Sequence, residues 1–512
     1  MKPHRSRLAI AALAASALLG TACGEGTTDT GTEAPSDGGV NASTLPDCPV
    51  GAFENETGST KVVLWTSAVG ATLATLRSIA TDYNASQNKV EVVVETQGIK
   101  YEELRKNFET GVSAKQLPAI VMGEDTWTQY MIDNGVTMPA QACINADDDE
   151  RAHAYDDMLP GVTAAYTSSE VLWPGAFGAS TVVLYFNKNH FTAAGLDPEN
   201  PPTTYAEVQA AAEQLKASVG AGNDAYKPLA LRLDSWFVEN TTSAEGETFV
   251  NNDNGRNGKR ATESTMNNPA TVEMLDWLAT MKDKGLLNTV ESSSLIDHYL
   301  AVATESSSML LETSTSATLV DQITSSAEGL DISQIVDEET AKQFEAFNGF
   351  KVPFTVGLGK GPSLSADKAG NGQVAGAAFY MTNSGSDAVV SGAWDFIKYF
   401  NDTPQQVRWT REGSYMPTRA AAVTELEADP AWADSQRGTW INTAYESMKD
   451  LDASFPGPLV GPYLKVRATV QSMLETIALP DSGGAADRVA PALDEAVAQI
   501  TSDLANYNST TR

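Results

Sequence analysis

Apolar and polar positions fall into short blocks along this chain, and the stretch from Ser180 to Lys216 shows them best. Val182, Val183, Leu184, Tyr185 and Phe186 form a β-branched and aromatic run, which predicts a buried strand. Ala194-Gly195-Leu196-Asp197-Pro198 breaks the run and leads to Pro201-Pro202. Thr204 and Glu207 then stand at capping-box spacing, with Val208, Ala211, Ala212 and Leu215 behind them at helical intervals. A buried strand that feeds a capped helix is a unit of an α/β domain.

The same alternation opens the folded chain at Lys61. Val62 to Trp65 reads as a first strand and Val90 to Val94 as a second. Between them Leu73, Leu76, Ile79, Ala80 and Tyr83 make one helix face. Tyr101 opens a helix carrying Leu104, Phe108 and Val112, and Leu117 to Met122 is a third strand ending at Gly123-Glu124-Asp125. This β-α-β-α-β order predicts a parallel sheet whose ligand crevice lies at the strands' C-terminal ends, where Glu124 stands. Further on, Asn268-Pro269 caps a helix with Val272, Leu275, Leu278 and Met281, stopped by Gly285. Met309 to Leu311 is a strand entering the hydroxyl-rich turn Thr313 to Ser316. Val374 to Met381 is another, passing through Gly376. Helices follow over Asp387 to Phe400, Tyr463 to Leu479 and Asp487 to Tyr507. The acidic run Asp147 to Glu150 reads as a solvated loop, Asn251 to Gly258 as turns, and Gly357 to Ser363 as a loop. No internal repeat is visible.

Composition narrows this outline. At 512 residues the chain exceeds one ordinary core, so two lobes are expected. Lys and Arg number 34 against 66 Asp and Glu, a net charge of −32. Such a surface repels nucleic acid and anionic headgroups, and an anionic ligand would have to be held by a local site. Lys2, Arg5 and Arg7 precede an apolar segment, Leu8 to Leu19, too short to span a bilayer. Leu19-Gly20-Thr21-Ala22-Cys23 is similar to a bacterial lipoprotein signal, with Gly20 where the usual pattern has Leu. It implies a signal over 1–22, lipidation of Cys23 and a protein tethered to the outer face of the cytoplasmic membrane. Residues 23–60 are rich in Gly, Thr, Ser, Pro and acid, which predicts a flexible tether. Cys48 and Cys143 are the remaining cysteines. In an exported protein they are a candidate bridge that would pin the tether's end to the first lobe, with two separate thiols as the alternative.

Searches for chemistry return little. The four histidines are scattered, and there is no His-Glu-x-x-His, no Gly-x-Ser-x-Gly and no phosphate loop. Nothing calls for a cofactor or a metal, and nothing supports an enzyme.

Several segments do form a recognisable set. Tyr185-Phe186-Asn187-Lys188, the Ala194 to Pro198 connector and the Pro201-Pro202 helix start resemble extracellular solute-binding proteins of ABC importers. Within that family the chain is most similar to the branch that binds glycerol 3-phosphate and glycerophosphodiesters. The matching segments are Gln97 to Glu102, Pro118-Ala119-Ile120 leading to Glu124, and Phe177 to Thr181. Trp236 before Glu239-Asn240, Met309 before its turn, Trp409 to Pro417, and Gly461 to Arg467 complete them. The resemblance implies an α/β, two-lobed periplasmic-binding-protein-like fold, each lobe a mostly parallel sheet flanked by helices, with the ligand in the cleft between. Lobe 1 would comprise 61–175 and about 351–405, and lobe 2 would comprise 180–350 and about 413–507. Tyr101, Ser180, Ser314, Tyr415 and Arg467 would surround a phosphate and Gly376 would offer its backbone. Glu124 and Trp236 would hold the glycerol. These residue types suit the task, since Arg presents a planar fork to phosphate oxygens and hydroxyls donate to the rest.

Two departures shape the ligand expected. Leu233 stands where the branch has a second Trp, and Ala179 replaces a Ser. Both point from glycerol 3-phosphate toward a glycerophosphodiester of the glycerophosphocholine kind. The expected protein is a monomeric, lipid-anchored binding protein that delivers this small molecule to ABC permease subunits. A neutral oligosaccharide of the maltose or trehalose type is the first rival, and an extracytoplasmic enzyme or interaction lipoprotein the second.

Overall fold

A computed structural model describes residues 41–511 apart from 295, 325–330, 332–340, 343–344, 346–347 and 450. The expected signal (1–22) and Cys23 lie outside the described residues. In chain order the strands are β1 (Thr60–Thr66), β2 (Val90–Thr96), β3 (Ile120–Glu124), β4 (Thr137–Met138), β5 (Thr167–Ser168), β6 (Val171–Leu172) and β7 (Ala176–Ser180). They continue as β8 (Val182–Asn187), β9 (Leu229–Arg232), β10 (Leu287–Val290), β11 (Met309–Thr313), β12 (Val356–Lys360) and β13 (Ala375–Thr382).

Two sheets organise them. The first runs β2-β1-β3-β13-β4 with β7 also on β13, and the second runs β10-β9-β11-β8-β12. Each contains a parallel trio, β2-β1-β3 in one and β10-β9-β11 in the other, extended by antiparallel strands. The expected mostly parallel sheets are thus parallel only in these trios. The physical reason is the route of the chain. β8 enters the second sheet beside Thr313, and β13 enters the first beside Glu124, so each starts at the trio's C-terminal edge and must run the opposite way.

The crossing points correct the expected boundaries. β7 belongs to the first sheet, so the chain changes lobe at Thr181. β12, expected in a loop of lobe 1, pairs with β8 in the second sheet. Its glycines hid it, because glycine is a poor strand former. Here they are required, since a Cβ on Gly357 would strike the Phe186 ring and one on Gly359 would strike Pro201. A further passage follows the helix Thr403–Gly413, which packs on lobe 1, and ends in the lobe 2 helices Tyr463–Ala478 and Ala485–Thr510.

Helical spacing translated well into packing. Leu76, Ile79, Ala80 and Tyr83 are buried against Trp394, Phe396 and Phe400 in lobe 1. Val208, Ala211, Ala212 and Leu215 are buried against Met274, Leu278 and Leu474 in lobe 2. The capping box forms, with Thr204 Oγ1 accepting from Glu207 N at 3.1 Å and Glu207 Oε2 accepting from Thr204 N at 3.2 Å. Two expectations fail. Leu45, Cys48, Val50 and Phe53 pack against the lobe 1 core, where Cys48 forms the candidate bridge to Cys143, as expected. The expected tether over 23–60 therefore ends before Leu45. Asp147, expected in a solvated loop, is buried and accepts from Trp394 Nε1 and Lys398 Nζ, each at 2.7 Å.

Candidate functional site

Between the two sheets, at the C-terminal edge of both parallel trios, lies a cavity of about 540 Å³. Tyr101, Glu124, Ser180, Trp236, Gly376, Tyr415 and Arg467 all line it. Residues up to 366 positions apart in sequence are brought together by the strand ends, as expected for a crevice in α/β architecture.

Local structure fixes each of them. Tyr101 opens the helix Tyr101–Ala114, and its Oη lies 3.3 Å from Tyr415 Oη. Tyr415 stacks on Trp409, with ring centroids 5.2 Å apart, and Met416 N donates to Ala179 O of β7. A Cβ on Gly178 would sit 3.0 Å from the Tyr415 ring, so only glycine leaves that ring its seat. Gly376 has φ +118°, and a Cβ there would meet the Gly178 carbonyl at 2.0 Å. Trp236 lies in the first turn of the helix Ser235–Ala244, whose N-cap Asp234 accepts from Trp236 N at 3.1 Å.

Two expected ligand residues are elsewhere. Leu233 is buried in the lobe 2 core, not in the cleft wall. It follows β9, where one step in a strand turns a side chain to the opposite face, so Arg232 takes the cleft and Leu233 the core. Ser314 is also buried. Its Oγ accepts from Thr181 N at 3.2 Å and its N donates to Thr181 O at 2.9 Å, which ties lobe 2 to the crossing point. Thr313 and Thr315, either side of it, line the cavity instead.

Arg467 is far from an unoccupied phosphate fork. Its Nε and Nη2 donate to Glu239, with Nη2 to Oε2 at 2.8 Å. Nη1 donates to Glu124 Oε1 at 2.8 Å, and Nη1 and Nη2 reach Asp125 at 3.4 Å. Glu239 also accepts from Gln373 and Tyr463, so its buried carboxyl is fully engaged. Arg467 and Glu239 belong to lobe 2 and Glu124 and Asp125 to lobe 1, so one guanidinium joins the lobes. Burial pushes the Glu124 carboxyl up to about 7 against the pull of Arg467, with neighbouring Asp125 adding to the rise. Burial likewise lifts Asp125 to about 6. One cation does not fully compensate three buried carboxylates.

Sequence reasoning missed the other cleft arginine. Arg232 ends β9, and its Nε is buried without a hydrogen-bond partner. Its ion-pair contact is Nη2 to Asp234 Oδ2 at 3.4 Å. Glu312 stands beside it at the end of β11, with Oε2 2.8 Å from His298 Nε2 and Oε1 accepting from Thr313 N. Burial would raise the Glu312 carboxyl, yet Arg232 and His298 hold it at about 2. The apolar run Leu229-Ala230-Leu231 was the available signal, since a charged residue closing a buried strand points at the crevice. Altogether the cavity is lined by Lys100, Arg232 and Arg467 against Glu102, Glu124, Asp125, Asp234 and Glu312. Its chemistry is mixed: aromatic faces, hydroxyls, and charges of both signs with acids in excess.

A two-lobed α/β scaffold with a polar, aromatic cleft at the crossing strands is an architecture suited to enclosing a small solute. Residues 78–438 match the model of the bacterial extracellular solute-binding protein family, well over half of the chain, and the protein belongs to that family. It is thus a solute-binding component of ABC transport that works outside the cytoplasm. Among its relatives, the sn-glycerol-3-phosphate-binding periplasmic protein UgpB of Yersinia pestis is 25% identical over 424 residues, 82% of this chain and 87% of that one. The protein of the same name from Agrobacterium fabrum is 26% identical over 385 residues, 73% and 77% of the two chains. Solved structures with the same fold include UgpB from Mycobacterium tuberculosis in complex with glycerophosphocholine, with TM-score 0.64, 16% identity, and 88% and 100% coverage. The cyclic alpha-maltosyl-1,6-maltose binding protein from Arthrobacter globiformis matches with TM-score 0.63, 21% identity and the same coverage.

Proposed function

We propose that this protein captures a glycerophosphodiester with a cationic head group, of the glycerophosphocholine kind, or glycerol 3-phosphate, and delivers it to an ABC permease. The observation that carries the reading is the convergence of Tyr101, Glu124, Ser180, Trp236, Gly376, Tyr415 and Arg467 on one interlobe cavity. The names of the relatives support it. So does the mixed lining, because a zwitterion carries a phosphate for the cations and an ammonium for the carboxylates and aromatic faces. Closure would turn about Thr181 and the segment between β12 and β13, with Arg467 joining the lobes. Lipidation at Cys23 would keep the protein, as a monomer, at the outer face of the membrane beside its permease.

A neutral oligosaccharide is the second reading, favoured by the excess of carboxylates, which accept from sugar hydroxyls, and by three aromatic side chains in the lining. A thermal-shift panel separates the two. Stabilisation by glycerophosphocholine or glycerol 3-phosphate but not by maltose or trehalose is expected, and stabilisation by the sugars alone would sink the phosphodiester reading.

A further inference from the structure

Three adjacent strand ends, those of β10, β9 and β11, form part of the lobe 2 wall of the cleft. Arg232 closes the middle strand, opposite Val290 in register. Ser292 and Ser293 follow β10 on one side, and Thr313 and Thr315 stand at the end of β11 on the other. We propose that this wall is the anion subsite: Arg232, flanked by these hydroxyls, takes the phosphoryl group of the ligand, while Arg467 serves as the interlobe tie. The inference rests on the phosphate-bearing ligand proposed above.

The argument is one of unmet hydrogen bonding. A guanidinium presents five donors, and a buried donor left without an acceptor keeps its desolvation cost uncompensated. Arg467 spends its donors on Glu124, Asp125 and Glu239. Arg232 has a buried Nε without a partner and a single long contact to Asp234, which already caps the next helix. Its side chain is one-quarter exposed, and that surface faces the cavity. Charge leads to the same choice. A phosphate at Arg467 would meet Glu124, Asp125 and Glu239 around one cation. At Arg232 it meets two, Asp234 and Glu312, and Glu312 also accepts from Thr313 N and lies against His298. Three of these hydroxyls can turn to donate: Thr313 and Thr315 are hydrogen-bonded to each other at 3.1 Å, and Ser293 donates to Glu291 at 3.4 Å, whereas Ser292 Oγ already donates to Glu475 at 2.9 Å. With the phosphate so placed, the acidic and aromatic lining beside Tyr101, Glu124 and Tyr415 receives the hydroxyls or the ammonium.

The test is calorimetric titration of the purified protein with glycerophosphocholine and with sn-glycerol 3-phosphate. Arg232→Gln is expected to weaken both by about 20-fold or more, since a charge-assisted pair is lost. Arg232→Lys should keep part of the affinity, retaining charge but losing the fork. Should Arg232→Gln fail to fold, Arg232→Lys decides, and a folded Lys variant that binds like the parent overturns the proposal. So does a folded Arg232→Gln with unchanged affinity, which leaves the proposed function standing. A parent protein that binds neither phosphate ligand removes the function proposed above and this subsite with it.

Discussion

In the cleft Arg467 is enclosed by three carboxylates drawn from both lobes, whereas Arg232 closes a strand with its Nε unpaired and one ion-pair acceptor at 3.4 Å. Both are arginines of lobe 2 lining the same cavity, Arg467 buried and Arg232 half-buried, yet their donors are in opposite states. The contrast teaches that residue type alone does not identify an anion site. What matters is how many donors the fold leaves unspent, because only those gain from a ligand. An arginine with all its donors engaged is a structural tie, and its loss should register in stability before it registers in binding.

The largest effect expected follows from that difference. Arg467→Ala leaves Glu124, Asp125 and Glu239 without their shared cation and should cost about 3–5 kcal/mol of stability, measured by denaturant unfolding. Arg232→Gln should cost less, since Glu312 loses one cation but keeps His298 and Thr313 N as partners. Equal losses in the two variants would abolish the comparison.

Leu233→Trp tests the Arg232 side of the comparison. Leu233 is core, so a tryptophan should overpack lobe 2 and cost about 1–3 kcal/mol, while the preference between glycerophosphocholine and glycerol 3-phosphate stays as it was. A changed preference in titrations would return Leu233 to the ligand pocket.

Acidity probes the Arg467 side. Glu124 has its carboxyl raised from 4.5 to about 7 and Asp125 from 3.8 to about 6. Between the ordinary and the raised values the folded state holds protons that the unfolded state has released, so stability falls as pH rises through roughly 4 to 7. The double variant Glu124→Gln, Asp125→Asn should flatten that slope and raise the melting temperature at pH 8 by about 2 °C or more. A parent melting temperature that climbs across this window would contradict the assignment.

The smallest effect is expected at the crossing point. Ser314→Ala removes the acceptor for Thr181 N, a loss of about 1 kcal/mol that urea unfolding would detect, with ligand affinity nearly unchanged. A large drop in affinity without loss of stability would restore Ser314 as a ligand contact.

Much of this architecture was legible along the chain. The strand at Val182, the capped helix behind Thr204 and the helix faces at Leu76 and Leu275 follow from periodicity and capping chemistry, which are local. β12 was not legible, because Gly357 and Gly359 are chosen for the approach of Phe186 and Pro201 from elsewhere in lobe 2. Asp147 read as solvated because Lys398 and Trp394, its partners, lie about 250 residues away. The site divides in the same manner. Tyr101, Glu124, Ser180 and Gly376 are legible as strand and helix ends, whereas nothing local distinguishes Arg232 from its neighbour Leu233 until the strand's two faces are assigned.

The sequence by itself determined the family, the alternation of strands and helices, and the kinds of side chain available for a ligand. Only the tertiary structure decided which of them are free to act. It turned Leu233 and Ser314 inward, closed three carboxylates on Arg467 and left Arg232 with donors to offer. The physical reason is that hydrogen bonds and charge pairs are satisfied in three dimensions, between strand ends and helices from both lobes. A linear pattern specifies which groups exist, but not which have already found their partners.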